Sequence, residues 1–118
     1  MVTKVVNVKV KYIQPEYLNL KEWMSDDNNL YIGRGGIVFI DSQRFPKQSS
    51  EWCNPYKITK DLPREECLDK YAKHLVNKLQ DEKTMKRFML LKNKNLGCWC
   101  HPESCHGDVI KSFLEDLQ

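Results

Sequence analysis

Residues 96–110 read LGCWCHPESCHGDVI, and this stretch decides both the expected fold and the expected site. Its first five residues predict a short strand, so the side chains of Cys98 and Cys100 would point to one face and Trp99 to the other. The residues that follow predict a closing amphipathic helix, whose apolar stripe comprises Val109, Ile110, Phe113, Leu114 and Leu117. We therefore expect a strand, a sharp turn and the N-terminus of a helix.

The segments before this unit alternate between strand and helix patterns. Apolar residues at every second position predict a first strand with one buried face, namely at Val6, Val8, Val10 and Tyr12. A short helix is expected to begin at Pro15. LYIGRGG (30–36) predicts a second strand that stops at glycines, and IVFID (37–41) predicts a third that could pair with it as a hairpin.

Two further helices are predicted, over 61–79 and 84–91, with Cys67 on the buried stripe of the first. Together these patterns indicate one α/β domain over residues 1–118, a small sheet with flanking helices in a Rossmann-like three-layer or two-layer arrangement. Residues 42–60 have no clear period and contain several prolines and serines, so a long loop is expected there.

Composition restricts the classes of partner. The net charge of +3 is small, and basic residues are scattered between acidic ones, which is a weak argument for nucleic acid. The odd number of five cysteines and the absence of a long apolar core in residues 1–14 predict a reducing, cytoplasmic compartment. No apolar run approaches the roughly 20 residues that cross a bilayer, so no membrane partner is expected.

One hypothesis for the cysteine segment is a metal site. Zinc or iron could be bound by Cys98, Cys100, Cys105 and either His101 or His106, which are suitable ligand types for tetrahedral coordination. The spacing C-x-C-x4-C-H is more compressed than in common structural zinc sites. The same residues could instead pack as small apolar side chains around a turn.

A second hypothesis is thiol chemistry. Cys105 lies where free N–H groups and the helix dipole favour negative charge, which would lower the pKa of its thiol. Cys105 would then be the nucleophile, with His106 or His101 as the base. Asp108 is a further catalytic candidate, or alternatively a cap of the closing helix.

A third hypothesis is a noncovalent site for an anion. In open α/β sheets, ligands bind beyond the carboxyl ends of strands, and Gly33, Arg34 and Gly35 follow the second strand. If that strand runs parallel to the cysteine strand, Arg34 and the turn at Cys105 face one crevice. An arginine offers two-point contacts to phosphate or carboxylate. The glycines do not form the spaced dinucleotide fingerprint, so they do not themselves indicate a dinucleotide.

Three motifs together resemble the family called Domain of Unknown Function 4326, small proteins of bacteria, phages and large DNA viruses. They are YIGRG (31–35), NPY (54–56) and CWCHPESCHGDVI (98–110), and the resemblance spans nearly the whole chain. Two departures are a longer interval before the NPY motif and Cys53 at a position where glycine is expected. The resemblance supplies no established activity, but it implies that seven residues belong together: Arg34, Asn54, Cys98, Cys100, Cys105, His106 and Asp108.

The leading prediction is a polar cleft that binds a small anionic, nucleotide-like ligand, with catalysis on that ligand left open. The expected ligand-binding residues are Gly33, Arg34, Gly35, Asn54, Cys98 and Cys100, and the catalytic candidates are Cys105, His106 and Asp108. The alternatives are the zinc or iron module described above and a viral or phage protein associated with nucleic acid, located in the host cytoplasm or the virion.

Overall fold

The computed structural model of the protein describes residues 3–100 and 103–117. Its strands and helices alternate along the chain in an order that confirms the predicted α/β class. The elements are β1 (Lys4–Asn7), α1 (Val10–Ile13), α2 (Leu20–Met24), β2 (Asn29–Tyr31), β3 (Val38–Ile40), β4 (Gln43–Phe45), α3 (Arg64–Lys78), α4 (Glu82–Met89), β5 (Asn95–Cys98) and α5 (His106–Asp116).

The main sheet has three parallel strands in the order β1-β5-β2. The central strand β5 places Leu96 opposite Val5 on one side and opposite Leu30 on the other. Strands β3 and β4 form a separate antiparallel pair. Because all three strands of the main sheet run in one direction, their carboxyl ends meet at the same edge.

Both faces of the main sheet are covered, which makes the three-layer arrangement the observed one. Leu96 and Cys98 of β5 belong to a buried cluster formed with side chains of α3, α4 and α5. Gly97, which points the other way, lies against Trp23 of α2 and against Val8. That second cluster also takes in apolar residues of α1 and the β3–β4 pair.

The prediction of an N-terminal strand through Tyr12 is wrong in its length and in its pattern. Strand β1 ends at Asn7, whose side-chain oxygen accepts the N–H of Lys9 at 2.9 Å and turns the chain away from the sheet. Val10 and Tyr12 lie in α1 and are exposed. Asn7, which alternates with the apolar residues of this stretch, is buried instead of exposed, because both faces of the main sheet are covered.

The hairpin that was possible between the second and third strands does not form. Strand β2 pairs with β5 in parallel, while β3 turns back on β4. Strand β4, Gln43–Phe45, therefore occupies part of the stretch expected to be a loop over 42–60. The helix expected to begin at Pro15 is α2, which begins at Leu20 because Asn19 accepts the N–H of Glu22 and caps it there.

The three later helices are confirmed with small shifts of their ends. Helix α3 begins at Arg64 instead of at residue 61, with Pro63 at the capping position. Helix α4 is capped by Asp81, which accepts the N–H of Thr84 at 2.9 Å. Cys67 is buried as expected. Across 3–100 and 103–117, no helix has the length and apolar character needed to span a membrane.

Candidate functional site

A cavity of about 520 Å³ lies at the carboxyl edge of the parallel sheet. Gly33 and Arg34 reach it just after β2, and Cys98 reaches it from the end of β5. The first residues of two helices complete the wall, Arg64 of α3 and His106 of α5. The parallel direction of β2 and β5 is what brings these segments together, as the crevice hypothesis required.

The wall of the cavity carries positive charge. Arg34, Lys57 and Arg64 line it, and the lining residues that the structure describes include no aspartate or glutamate. Arg64 is neutralised in part, because its guanidinium contacts the carboxylate of Glu103 at 2.6 Å. The N-termini of α3 and α5 add partial positive charge at the same place.

The guanidinium of Arg34 is hydrogen-bonded to two backbone carbonyl oxygens. Its Nη2 donates to the carbonyls of Asn54 at 2.9 Å and Tyr56 at 3.1 Å. Within 3–100 and 103–117, no carboxylate forms an ion pair with Arg34 or with Lys57. The two cations therefore leave an uncompensated charge at the cavity.

The remaining wall is mostly apolar. Its large apolar side chains are those of Ile37, Tyr56, Ile58, Leu68 and Trp99. The indole of Trp99 is fixed in place, since its Nε1 donates to the hydroxyl of Tyr31 at 2.7 Å. The cavity thus offers a flat, apolar surface beside a cationic one.

The thiols of Cys98 and Cys105 are in contact, with 3.3 Å between their sulfur atoms. Both side chains are buried in the same core cluster. The contact with Cys98 and burial raise the pKa of the Cys105 thiol, so the expectation of a lowered pKa is wrong. Loss of solvent and the neighbouring sulfur outweigh the favourable helix N-terminus.

His106 has a defined tautomer. Its Nε2 lies 2.7 Å from the carbonyl oxygen of Ile32. A carbonyl can only accept, so Nε2 carries the proton and Nδ1 carries the lone pair of the neutral ring. Burial lowers the pKa of His106, and the positive charge of Arg34 lowers it further. The ring also packs edge-on against Tyr71, with 5.2 Å between centroids.

Two of the predicted site residues support the local backbone. The carboxylate of Asp108 accepts the N–H of Cys105 at 3.0 Å, in agreement with the capping alternative. The N–H of Gly35 donates to the hydroxyl of Ser49 at 2.9 Å. Neither Asp108 nor Gly35 is among the residues that line the cavity.

Asn54 lines the cavity, and its side chain also shapes the NPY turn. Its Oδ1 accepts the N–H of Tyr56 at 2.9 Å, and its Nδ2 donates to the sulfur of Cys67 at 3.6 Å. The predicted hydrogen bond from Asn54 to a ligand stays a prediction. Cys53, next to it, is half-buried and is not a lining residue.

The candidate metal ligands are only partly brought together. Strand β5 ends at Cys98, so Cys100 does not share a strand face with it, and Cys100 is exposed. Over the two described ranges, no group of three or more His, Cys, Asp or Glu side chains is placed to hold a metal ion. His101, the other possible ligand, lies outside the described residues.

Sequence reasoning missed two of the three cations at the site, Lys57 and Arg64. A signal for Arg64 was available, because a basic residue in the first turn of a helix is unfavourable to the dipole and indicates another role. Arg64 in fact links α3 to the start of α5, since its Nη1 donates to the carbonyl of Ser104 at 2.6 Å. Lys57 offered no such signal, because only the folded loop brings it to the wall.

Comparisons with known proteins give one match. The family model described as "Domain of unknown function (DUF4326)" matches residues 18–116. No curated protein matches the chain, and no solved structure matches it.

Proposed function

Because the chain belongs to the family Domain of Unknown Function 4326, whose description names no activity, we propose a function from the geometry of its cavity. The cavity binds a small anionic ligand of nucleotide-like character, that is, a phosphate or carboxylate group attached to a flat apolar group. The volume of about 520 Å³ lies within the range of about 300–1,000 Å³ that is usual for small-molecule sites.

The uncompensated charge of Arg34 is the observation that carries this proposal. The guanidinium is partly buried at the wall, and its visible hydrogen bonds go to two neutral carbonyls. A buried or half-buried cation is normally paired with an anion, and arginine matches the planar fork of a phosphate or carboxylate. Lys57 and the starts of α3 and α5 favour the same sign of ligand charge.

The apolar wall supports the second part of the proposal. Trp99 and Tyr56 present aromatic surface beside the cations, and Ile37 and Ile58 add aliphatic surface. Ile37 and Ile58 are about half exposed, at 46% and 49%. Aromatic and aliphatic side chains of this kind favour contact with a ring such as a nucleobase.

The chemistry of the site favours noncovalent binding over attack by a thiolate. The raised pKa of Cys105 keeps its thiol neutral at physiological pH. His106, in contrast, is neutral with a lone pair on Nδ1, so it is a candidate to accept a proton if the ligand reacts.

The test is a binding titration with ribonucleoside monophosphates and diphosphates, the matching nucleosides and inorganic phosphate. We expect the nucleotides to raise the melting temperature of the wild-type protein more than the nucleosides do, because the cations contact the phosphate. Lys57→Gln should weaken binding roughly three- to tenfold, since the lysine is exposed and its charge is partly screened.

Lys73→Gln is the matched control, because Lys73 is an exposed lysine of α3 outside the cavity lining. It should leave the affinity unchanged. The proposal is abandoned if no member of the panel stabilises the wild-type protein, or if Lys57→Gln and Lys73→Gln behave alike.

A further inference from the structure

The contact between Cys98 and Cys105 is not needed for binding an anion, and it places two thiols as a pair. Cys98 is the last residue of β5, and Cys105 is the capping residue of α5. The two residues are 1% and 2% exposed, and both line the cavity. The other three cysteines differ, since Cys67 bonds to the NPY turn, Cys53 is half-buried and Cys100 is exposed.

The backbone holds both members of the pair. The carbonyl of Cys98 accepts the N–H of Val8 at 2.9 Å, which ties it to the sheet. The N–H of Cys105 is bound by the Asp108 carboxylate at 3.0 Å, which ties it to the helix. A disulfide needs its sulfur atoms at about 2.05 Å, so closing the bond from 3.3 Å requires a movement of about 1 Å.

We propose that Cys98 and Cys105 form a redox-active dithiol, which small-molecule disulfides oxidise reversibly to an intramolecular disulfide. Both residues lie on the wall of the cavity, so an oxidant that enters the cavity comes next to the pair, although little of either residue is exposed to solvent. The proposal does not depend on the anionic ligand, and its test does not use one.

The reaction is two successive thiol–disulfide exchanges. One cysteine loses its proton and attacks the small disulfide, which forms a mixed disulfide and releases one small thiol. The second cysteine then loses its proton and attacks the protein sulfur of the mixed disulfide, which releases the second small thiol. The cysteine pair has lost two electrons and two protons, and the small disulfide has been reduced to two thiols.

Proximity determines which pair forms. The first exchange is slow, because a buried neutral thiol is a poor nucleophile. The second is fast, because the partner sulfur is already in contact. Oxidation is therefore expected to be slow but selective for Cys98 and Cys105.

The test uses the full chain in buffers of oxidised and reduced glutathione at several ratios, with thiols trapped by alkylation and the products mapped by mass spectrometry. We expect a loss of two hydrogens, a peptide that links Cys98 to Cys105, and full recovery of both thiols with dithiothreitol. The equilibrium constant should be at least about tenfold larger in the native protein than in urea, because the fold holds the thiols together.

Single serine variants provide the controls. Cys100→Ser and Cys53→Ser should still form the Cys98–Cys105 disulfide, while Cys98→Ser and Cys105→Ser should not. Far-UV circular dichroism verifies that each variant is folded, and serine is a favourable capping residue at position 105.

The proposal is overturned by any of three results. Cys98 and Cys105 could both be recovered as thiols while Cys100 carries glutathione. The disulfide could link Cys100 or Cys53 to one of them instead. Finally, the equilibrium constant could be the same in native and urea-unfolded protein, which would show that the fold does not bring the pair together.

Discussion

At the scale of single residues, His106 shows how the fold sets a protonation state. The carbonyl of Ile32 selects the tautomer with the proton on Nε2, while burial and the charge of Arg34 disfavour a second proton. The imidazole is therefore held neutral in the folded protein. In an unfolded chain the same ring would take up a proton near its ordinary pKa of 6.5.

This difference predicts a pH dependence of stability. Because the pKa of His106 is lower in the folded state, the unfolded state binds more protons as the pH falls below about 6.5. The contribution of His106 to the free energy of unfolding is therefore present above that pH and is lost as the pH falls toward the folded-state pKa. Urea unfolding at a series of pH values between 7.5 and 4.5 measures it.

The variant His106→Gln keeps an N–H donor for Ile32 but does not titrate, so its stability should fall less steeply with acidification than that of the wild type. His74→Gln is the control, because it also removes one imidazole but at a partly exposed position of α3. An acid slope in His106→Gln equal to the wild-type slope contradicts the assignment.

At the scale of elements, the start of α5 connects the site to the core. Cys105 caps the helix with extended backbone angles, and Asp108 closes the turn by accepting the N–H of Cys105 at 3.0 Å. Arg64 of α3 holds the preceding residues through the carbonyl of Ser104. These bonds position Cys105 and His106 at the cavity although neither bond involves their side chains.

We therefore expect Asp108 to act on the position of the helix. Asp108→Ala should lower the free energy of unfolding by about 1 kcal/mol, because the N–H of Cys105 loses its acceptor. Asp108→Asn should lose less, since the amide oxygen can still accept. Chemical denaturation of both variants measures the difference, and equal stability of Asp108→Ala and wild type contradicts this role.

At the scale of the whole molecule, the central strand β5 is packed closely on both faces, so an added side-chain atom would clash with its neighbours. Gly97 is the point of closest approach, where an added Cβ would lie 2.5 Å from Cη2 of Trp23 and 2.7 Å from Cγ1 of Val8. The absence of a side chain at Gly97 therefore lets α2 pack directly on the sheet.

Gly97→Ala should consequently destabilise the protein by roughly 1–3 kcal/mol through overpacking. Trp23→Phe removes the ring atoms that the new methyl group would meet, so the double variant should lose less stability than the sum of the two single variants. Urea unfolding of all four proteins tests this. A strictly additive double variant contradicts the packing explanation.

The α/β class and the later helices could be predicted from the sequence, because they depend on local periodicity. The stripe around Cys67 and the cap and helix signals near residues 105–110 require no knowledge of distant segments. The pairing of strands could not be predicted in this way. LYI and VFI are both apolar runs of similar length, and only packing decides that one joins β5 and the other turns back on β4.

The candidate site, too, was predicted in part from the sequence and in part depends on the tertiary structure. The sequence by itself placed Arg34 and the turn at Cys105 at one crevice on the condition that their strands run parallel, and the family resemblance grouped Cys98 and His106 with them. The structure meets that condition, and all four residues line one cavity. Only the tertiary structure added Lys57 and Arg64 and raised the pKa of Cys105 where the helix dipole alone predicted a lower one. It also ended β5 at Cys98, so that Cys100 lines the same cavity from an exposed position beyond the strand. The physical reason is that charge, burial and thiol contact depend on neighbours that are distant along the chain.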